Sequence, residues 1–192
     1  MDELAASVLA FWFGAPGSPE HGKPRPEWFR KNPAFDEEIR RRFGDAVAIA
    51  LAGGYGNWCA SAPGALARIL LLDQFTRNIF RDTPRAFAGD ARALATAEDA
   101  IARGFDRALS MNERRFVYMP FEHAEDEAAQ HRSLELFAAL SSELGDDDPI
   151  VWARKHAEII FRFGRYPHRN AVLGRPSTAE EAAFLLQPGS SF

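Results

Sequence analysis

The chain of 192 residues has a single cysteine, Cys59, which excludes an intrachain disulfide and any metal site built from several cysteines. A chain without disulfides suits a reducing compartment, and a cytoplasmic location is expected. Long hydrophobic runs are also missing. The apolar run over residues 4–13 is too short to span a bilayer, and Asp2 and Glu3 precede it where a secretory leader would carry positive charge. No membrane partner is therefore expected. Basic residues are in deficit, with 23 Lys and Arg against 27 Asp and Glu. Counterion release rewards the opposite balance, so nucleic acid is not an expected partner either. No segment alternates polar and apolar residues long enough to demand a strand. Neither a phosphate-binding loop, a dinucleotide fingerprint nor a G-x-S-x-G elbow occurs, and no cofactor is expected.

Aromatic residues are plentiful: 16 Phe and 4 Trp supply large buried areas and point to a core rich in ring packing. A chain of this length can bury roughly 70% of its unfolded surface in one core, and a single domain over residues 1–192 is expected. Helix signals follow one another along it. Asp2 caps a first helix that Gly14 ends; Asn32 and Pro33 open a second, carrying Phe35, Ile39, Phe43 and Val47, with Asp36, Glu37 and Glu38 where the helix dipole favours anions. Between them, residues 15–31 hold Pro16, Gly17, Pro19, Gly22, Pro24 and Pro26 and read as a loop or lid. Asp90 is placed to cap a helix striped by Leu94, Ala97 and Ile101. Ser110 and Glu113 form a capping box for a short helix that Pro120 is expected to break or kink. The pattern then runs from Phe121 to Leu144. A further helix carries Trp152, Ile159, Ile160 and Phe163 on one stripe. A second capping box over residues 177–180 opens the last. The class is all-α, about eight helices in antiparallel hairpins.

The stretch at 66–81, LARILLLDQFTRNIFR, organises the rest. At about 3.6 residues per turn, Leu66, Ile69 and Leu70 share one face, while Leu71, Leu72, Phe75 and Ile79 share a nearly opposite one. A helix apolar on two sides is buried on two sides. Asp73 and Arg77 extend the first face, with Arg81 close by, so charged groups point inward. Glu122, Asp126, Gln130 and Ser133 fall on the inner face of the next long helix, while Glu125, Arg132 and Glu135 take the outer one. His123 is adjacent, and His156 sits inside an apolar stripe. The segment RFGRYPHRN places Arg162, Arg165, His168 and Arg169 within a few residues of a helix end, and arginine forks suit phosphate or carboxylate. The usual histidine and carboxylate spacings for metal are missing, and no metal site is expected.

Five strings form a recognisable set: FWFG at 11–14, Trp28 with Phe29, LDQFTRNIFR at 72–81, P-x-x-H-x-E-D at 120–126 and FGRYPHRN at 163–170. Together they resemble the bacterial domain-of-unknown-function family 924. The resemblance implies a tetratricopeptide-like helical fold, although a repeat of about 34 residues is not legible here. It brings no activity and no catalytic residues. Three readings stand side by side. One is a helical binding module holding an anionic small molecule or acidic peptide through Arg77, Arg81, Arg165 and Arg169. Another is a small hydrolase with His156 or His123 as base and Asp73, Glu122 or Asp126 orienting it. In the third, the inward charges are internal struts.

Overall fold

The computed structural model describes residues 1–191, and every regular element among them is helical. The helices are α1 (Glu3–Phe13), α2 (Pro33–Leu51), α3 (Ala62–Ile69), α4 (Thr76–Ile79), α5 (Asp90–Ala102), α6 (Met111–His123), α7 (Glu127–Leu144), α8 (Asp148–Phe163) and α9 (Ala179–Leu185). A π-helical turn, Leu70–Phe75, joins α3 to α4 without a break, so these two form one rod. None of the helices is long and apolar enough to cross a membrane. The chain gathers into two compact units. The first comprises Met1–Arg81 and Arg85–Pro120; the second comprises Asp82–Pro84 and the chain from Phe121 onward.

The first unit is built on rings. Trp12, Phe13, Trp28 and Phe116 pack edge-to-face, with Trp28 and Phe116 centroids 4.9 Å apart. Phe11, Phe35, Phe43 and Phe75 continue the cluster. Residues 15–31 are tied to this body: Arg25 donates to the Phe11 carbonyl, the Trp28 indole to the Trp12 carbonyl, and Asn112 to the Gly22 carbonyl. Asp2 and Asn32 cap α1 and α2 with their side chains, as their positions dictate.

The rod from α3 to α4 is buried on both sides: Leu66, Ile69, Leu70, Leu71, Leu72, Phe75 and Ile79 are all in the core. The π turn lies against the start of α5 at backbone distance. A Cβ on Gly89 would stand 2.0 Å from the Leu72 carbonyl oxygen, so only glycine lets the two backbones meet. Helix α5 accordingly buries small groups, Ala93, Thr96, Ala97 and Ala100, while the expected stripe residues Leu94 and Ile101 are only half-buried. The cap expected from Asp90 is not made. Gly89 occupies that position, and the Asp90 carboxylate turns to Arg77 instead.

Pro120 does not break its helix. α6 runs through it to His123, and the interruption comes only after that, over residues 124–126. In the second unit α7 and α8 form a hairpin joined by a short turn at Gly145, whose positive φ ends α7. Leu136, Phe137 and Leu140 of α7 are buried, and Ile159 and Ile160 of α8 form a core cluster with Tyr166, against which Phe163 and Phe184 pack. Trp152, expected on this stripe, is exposed; its indole donates to Asp148 and its ring carries the Lys155 ammonium. The final capping box falls one residue later than expected, on Thr178 and Glu181.

Candidate functional site

Helix α6 ends in an unusual way. The last carbonyls of a helix have no partner within it, and here a side chain from the following helix takes them. Gln130 Nε2 lies 3.1 Å from the Phe121 carbonyl oxygen, 3.0 Å from that of Glu122 and 2.8 Å from that of Ala124. The Tyr166 hydroxyl donates to the Glu122 carbonyl as well. Asp126 caps the new helix by accepting from the Ala129 amide at 2.8 Å. This corrects its expected inward role: Asp126 is exposed at a helix start, because the interruption at 124–126 resets the helical phase. The same reset turns Glu125 inward. It takes both guanidinium nitrogens of Arg175, at 2.5 and 2.9 Å, and the Tyr166 backbone amide at 2.8 Å. Burial opposes its ionisation, but Arg175 and Tyr166 outweigh burial and hold the carboxyl below its ordinary range.

Around Tyr166 the second unit gathers two imidazoles and a guanidinium, with a third imidazole beside one of the two. The His156 ring meets that of Tyr166 edge-on at 5.8 Å, and the His123 ring lies 6.2 Å from His156. His168 is 5.5 Å from the Tyr166 ring on another side, and the Arg169 guanidinium stacks 4.4 Å from its centroid. Tyr166, His156 and Arg169 are all buried. Glu122, 3% exposed, reaches within 3.3 Å of His156 Nδ1. That nitrogen also lies 2.9 Å from the Trp152 carbonyl oxygen, an acceptor, which assigns the proton to Nδ1 and leaves Nε2 as the accepting nitrogen. Burial pushes the His156 pKa down to about 3, and the positive charges of His123, Arg169 and His168 push the same way. At neutral pH the imidazole is therefore uncharged, and its 3.3 Å approach to Glu122 is not an ion pair. Burial raises the Tyr166 phenol well above its ordinary range, keeping it protonated.

The other expected basic residues are engaged elsewhere. Arg165 forks onto Glu181 at 2.6 and 2.8 Å, and Glu181 closes the α9 capping box with the same carboxylate. That double use holds the Glu181 pKa down at about 2, through Arg165 first and the Thr178 amide second. Arg162 pairs with Glu180 on the surface.

Asp73, Arg77 and Arg81 belong to the first unit, where they make two compact networks. Asp73 is fully buried in the π turn. It receives Gln74 Nε2 at 2.6 Å and Arg77 Nη1 at 3.1 Å, and Arg77 also forks onto Asp90 at 2.8 and 2.9 Å. Arg81 meets Asp36 at 2.5 and 3.0 Å, with Asn78 on the same carboxylate at 2.6 Å. Asp36 was expected only as a complement to the α2 dipole; it is a buried acceptor for two side chains. Asp36, Asp90, Glu125, Arg175 and Tyr166 are the functional-looking residues that sequence patterns missed. Among the described residues no three His, Cys, Asp or Glu side chains converge to hold a metal ion.

Buried polar networks on an all-helical frame, with no strand among the described residues, define an all-α protein. The chain belongs to DUF924, a family described as bacterial proteins of unknown function, whose model matches residues 8–189. It is similar to a solved protein of unknown function from Agrobacterium tumefaciens, at 41% identity over 96% of this chain and 97% of that one, with a TM-score of 0.83. No curated protein matches it.

Proposed function

We propose that the second unit binds a small anion at His123, His156, His168 and Arg169. The observation that carries this reading is the grouping of two imidazoles, His156 and His168, and the Arg169 guanidinium around the ring of Tyr166, with the His123 ring beside that of His156. Arg77, Arg81 and Arg165 hold carboxylates of the protein, whereas Arg169 lies against the Tyr166 ring. Burial of His156 and Arg169 favours a small molecule over an acidic peptide, which needs an open groove. The α7–α8 hairpin supports a tetratricopeptide-like architecture, and the lone Cys59 a cytoplasmic setting.

Glu122 repels an arriving anion, and the Arg169 guanidinium, charged at any ordinary pH, supplies the attraction. Calorimetric titration of the parent and of Arg169→Met with inorganic phosphate and succinate at pH ~6 tests this directly. Binding is expected in the parent and lost in Arg169→Met. Absence of heat in the folded parent would sink the reading.

The 3.3 Å approach of Glu122 to His156 favours a second one. A carboxylate orienting a neutral imidazole is the arrangement of a general base. Hydrolysis of small esters or phosphate monoesters that disappears in His156→Asn would select it over simple binding.

A further inference from the structure

Among the described residues of the second unit, Gln130 Oε1 and Ser133 Oγ are buried with no hydrogen-bond partner. Gln130 and Ser133 stand three residues apart on one face of α7, and neither is accessible to solvent. The orientation of the Gln130 amide is fixed, since Nε2 faces three carbonyl oxygens that can only accept. Its Oε1 therefore points away from them, and no donor meets it. Ser133 Oγ also has no hydrogen-bond partner, not even a carbonyl of its own helix. Buried groups of this kind are uncommon and call for an explanation. Residues three apart on a helix have Cβ atoms about 5–6 Å apart, so one oxygen can bridge both. The group that fits donates one hydrogen bond and accepts another, which describes a hydroxyl.

We propose that the anion bound near Tyr166 carries a hydroxyl group that donates to Gln130 Oε1 and accepts from Ser133 Oγ, which makes the ligand a small hydroxy acid. This rests on the anion-binding reading above. Tyr166 links the two ends: Gln130 Nε2 lies 3.1 Å from its hydroxyl, while Arg169 and His156 pack on its ring. A site built to receive a hydroxyl discriminates strongly against the analogue that lacks it, because the buried acceptor is then left bare.

The test compares matched acids on the full chain at pH ~6 by calorimetry: malate against succinate, and lactate against propionate. Each hydroxy acid is expected to bind about tenfold tighter or more than its plain counterpart. Ser133→Ala deletes a group with no hydrogen-bond partner in the free protein, so it is expected to melt at or above the parent temperature while narrowing the preference of each hydroxy acid over its plain counterpart. If hydroxylated and plain acids bind the parent equally, the hydroxyl assignment fails, an internal water accounts for both atoms, and the anion site stands. A Ser133→Ala protein that keeps the full preference also overturns the assignment. If none of the four acids binds, the anion reading fails and takes this inference with it.

Discussion

Gln130 and Ala124 are six residues apart in sequence, and the amide nitrogen of one lies 2.8 Å from the carbonyl oxygen of the other, sealing the end of α6 with a side chain from α7. The same amide serves Phe121 and Glu122. Replacing it with an apolar residue of similar length, Gln130→Leu, strands buried acceptors. We expect a loss of about 2–4 kcal/mol, at the upper range for single substitutions. Urea denaturation measures it, and an unchanged midpoint would rule out the capping role.

His156 makes the protein acid-sensitive in a defined window. Its folded pKa of about 3 lies below the ordinary 6.5, so between these values the unfolded chain holds a proton that the folded chain does not. Stability therefore rises with pH across this interval, by about 1.4 kcal/mol per unit for one such group, and is flat above it. Glu122, His123, His168 and Arg169 share the surroundings and shape the curve. In an NMR titration of the five histidines, one imidazole is expected to stay neutral to below pH ~4, and His156→Asn removes that signal. A full set titrating near neutrality contradicts the assignment.

The two carboxylates around Arg77 back each other up. Removing Asp73 leaves Arg77 on Asp90, and removing Asp90 leaves it on Asp73. Each single change, Asp73→Ala or Asp90→Ala, is expected to cost about 1–3 kcal/mol, whereas the double change leaves a largely buried guanidinium without either carboxylate. A double-mutant cycle should show the pair costing at least about 1 kcal/mol more than the sum. Strict additivity would mean that solvent, not Asp90, screens Arg77.

Gly89 is fixed by contact rather than by dihedral angle. With a Cβ only 2.0 Å from the Leu72 carbonyl oxygen, Gly89→Ala must separate α5 from the π turn. The expected cost is about 3 kcal/mol or more, typical of overpacking against a backbone that cannot give. Gly44, inside α2 with nothing near its Cβ position, supplies the control: Gly44→Ala is expected to be neutral or stabilising. Equal thermal shifts in the two variants would refute the close approach.

Much of this was readable from residue order alone. Caps and breakers are local, so Asp2, Asn32, Ser110 and Gly164 marked helix ends correctly. The inward Asp73 and its i, i+4 partner Arg77 were legible for the same reason. What escaped was long-range or out of phase. Asp36 finds Arg81 across 45 residues and Glu125 finds Arg175 across 50, and no spacing rule links such positions. Asp126 and Glu125 exchanged their expected faces because the wheel was carried through an interruption that Pro120 suggested but did not itself make. A proline marks a missing donor, and the chain breaks where other groups can take over the exposed carbonyls.

The wide turn at Leu70–Phe75 also gives the chain slack there. Such a turn holds one residue more than an ordinary spiral needs. Deleting one of its members lets the coil tighten into an ordinary helix while the flanking positions keep their faces, so Arg77 stays directed at Asp90 and Ile79 in its seat. The same deletion inside α5 would instead swing everything downstream by about 100° around the axis.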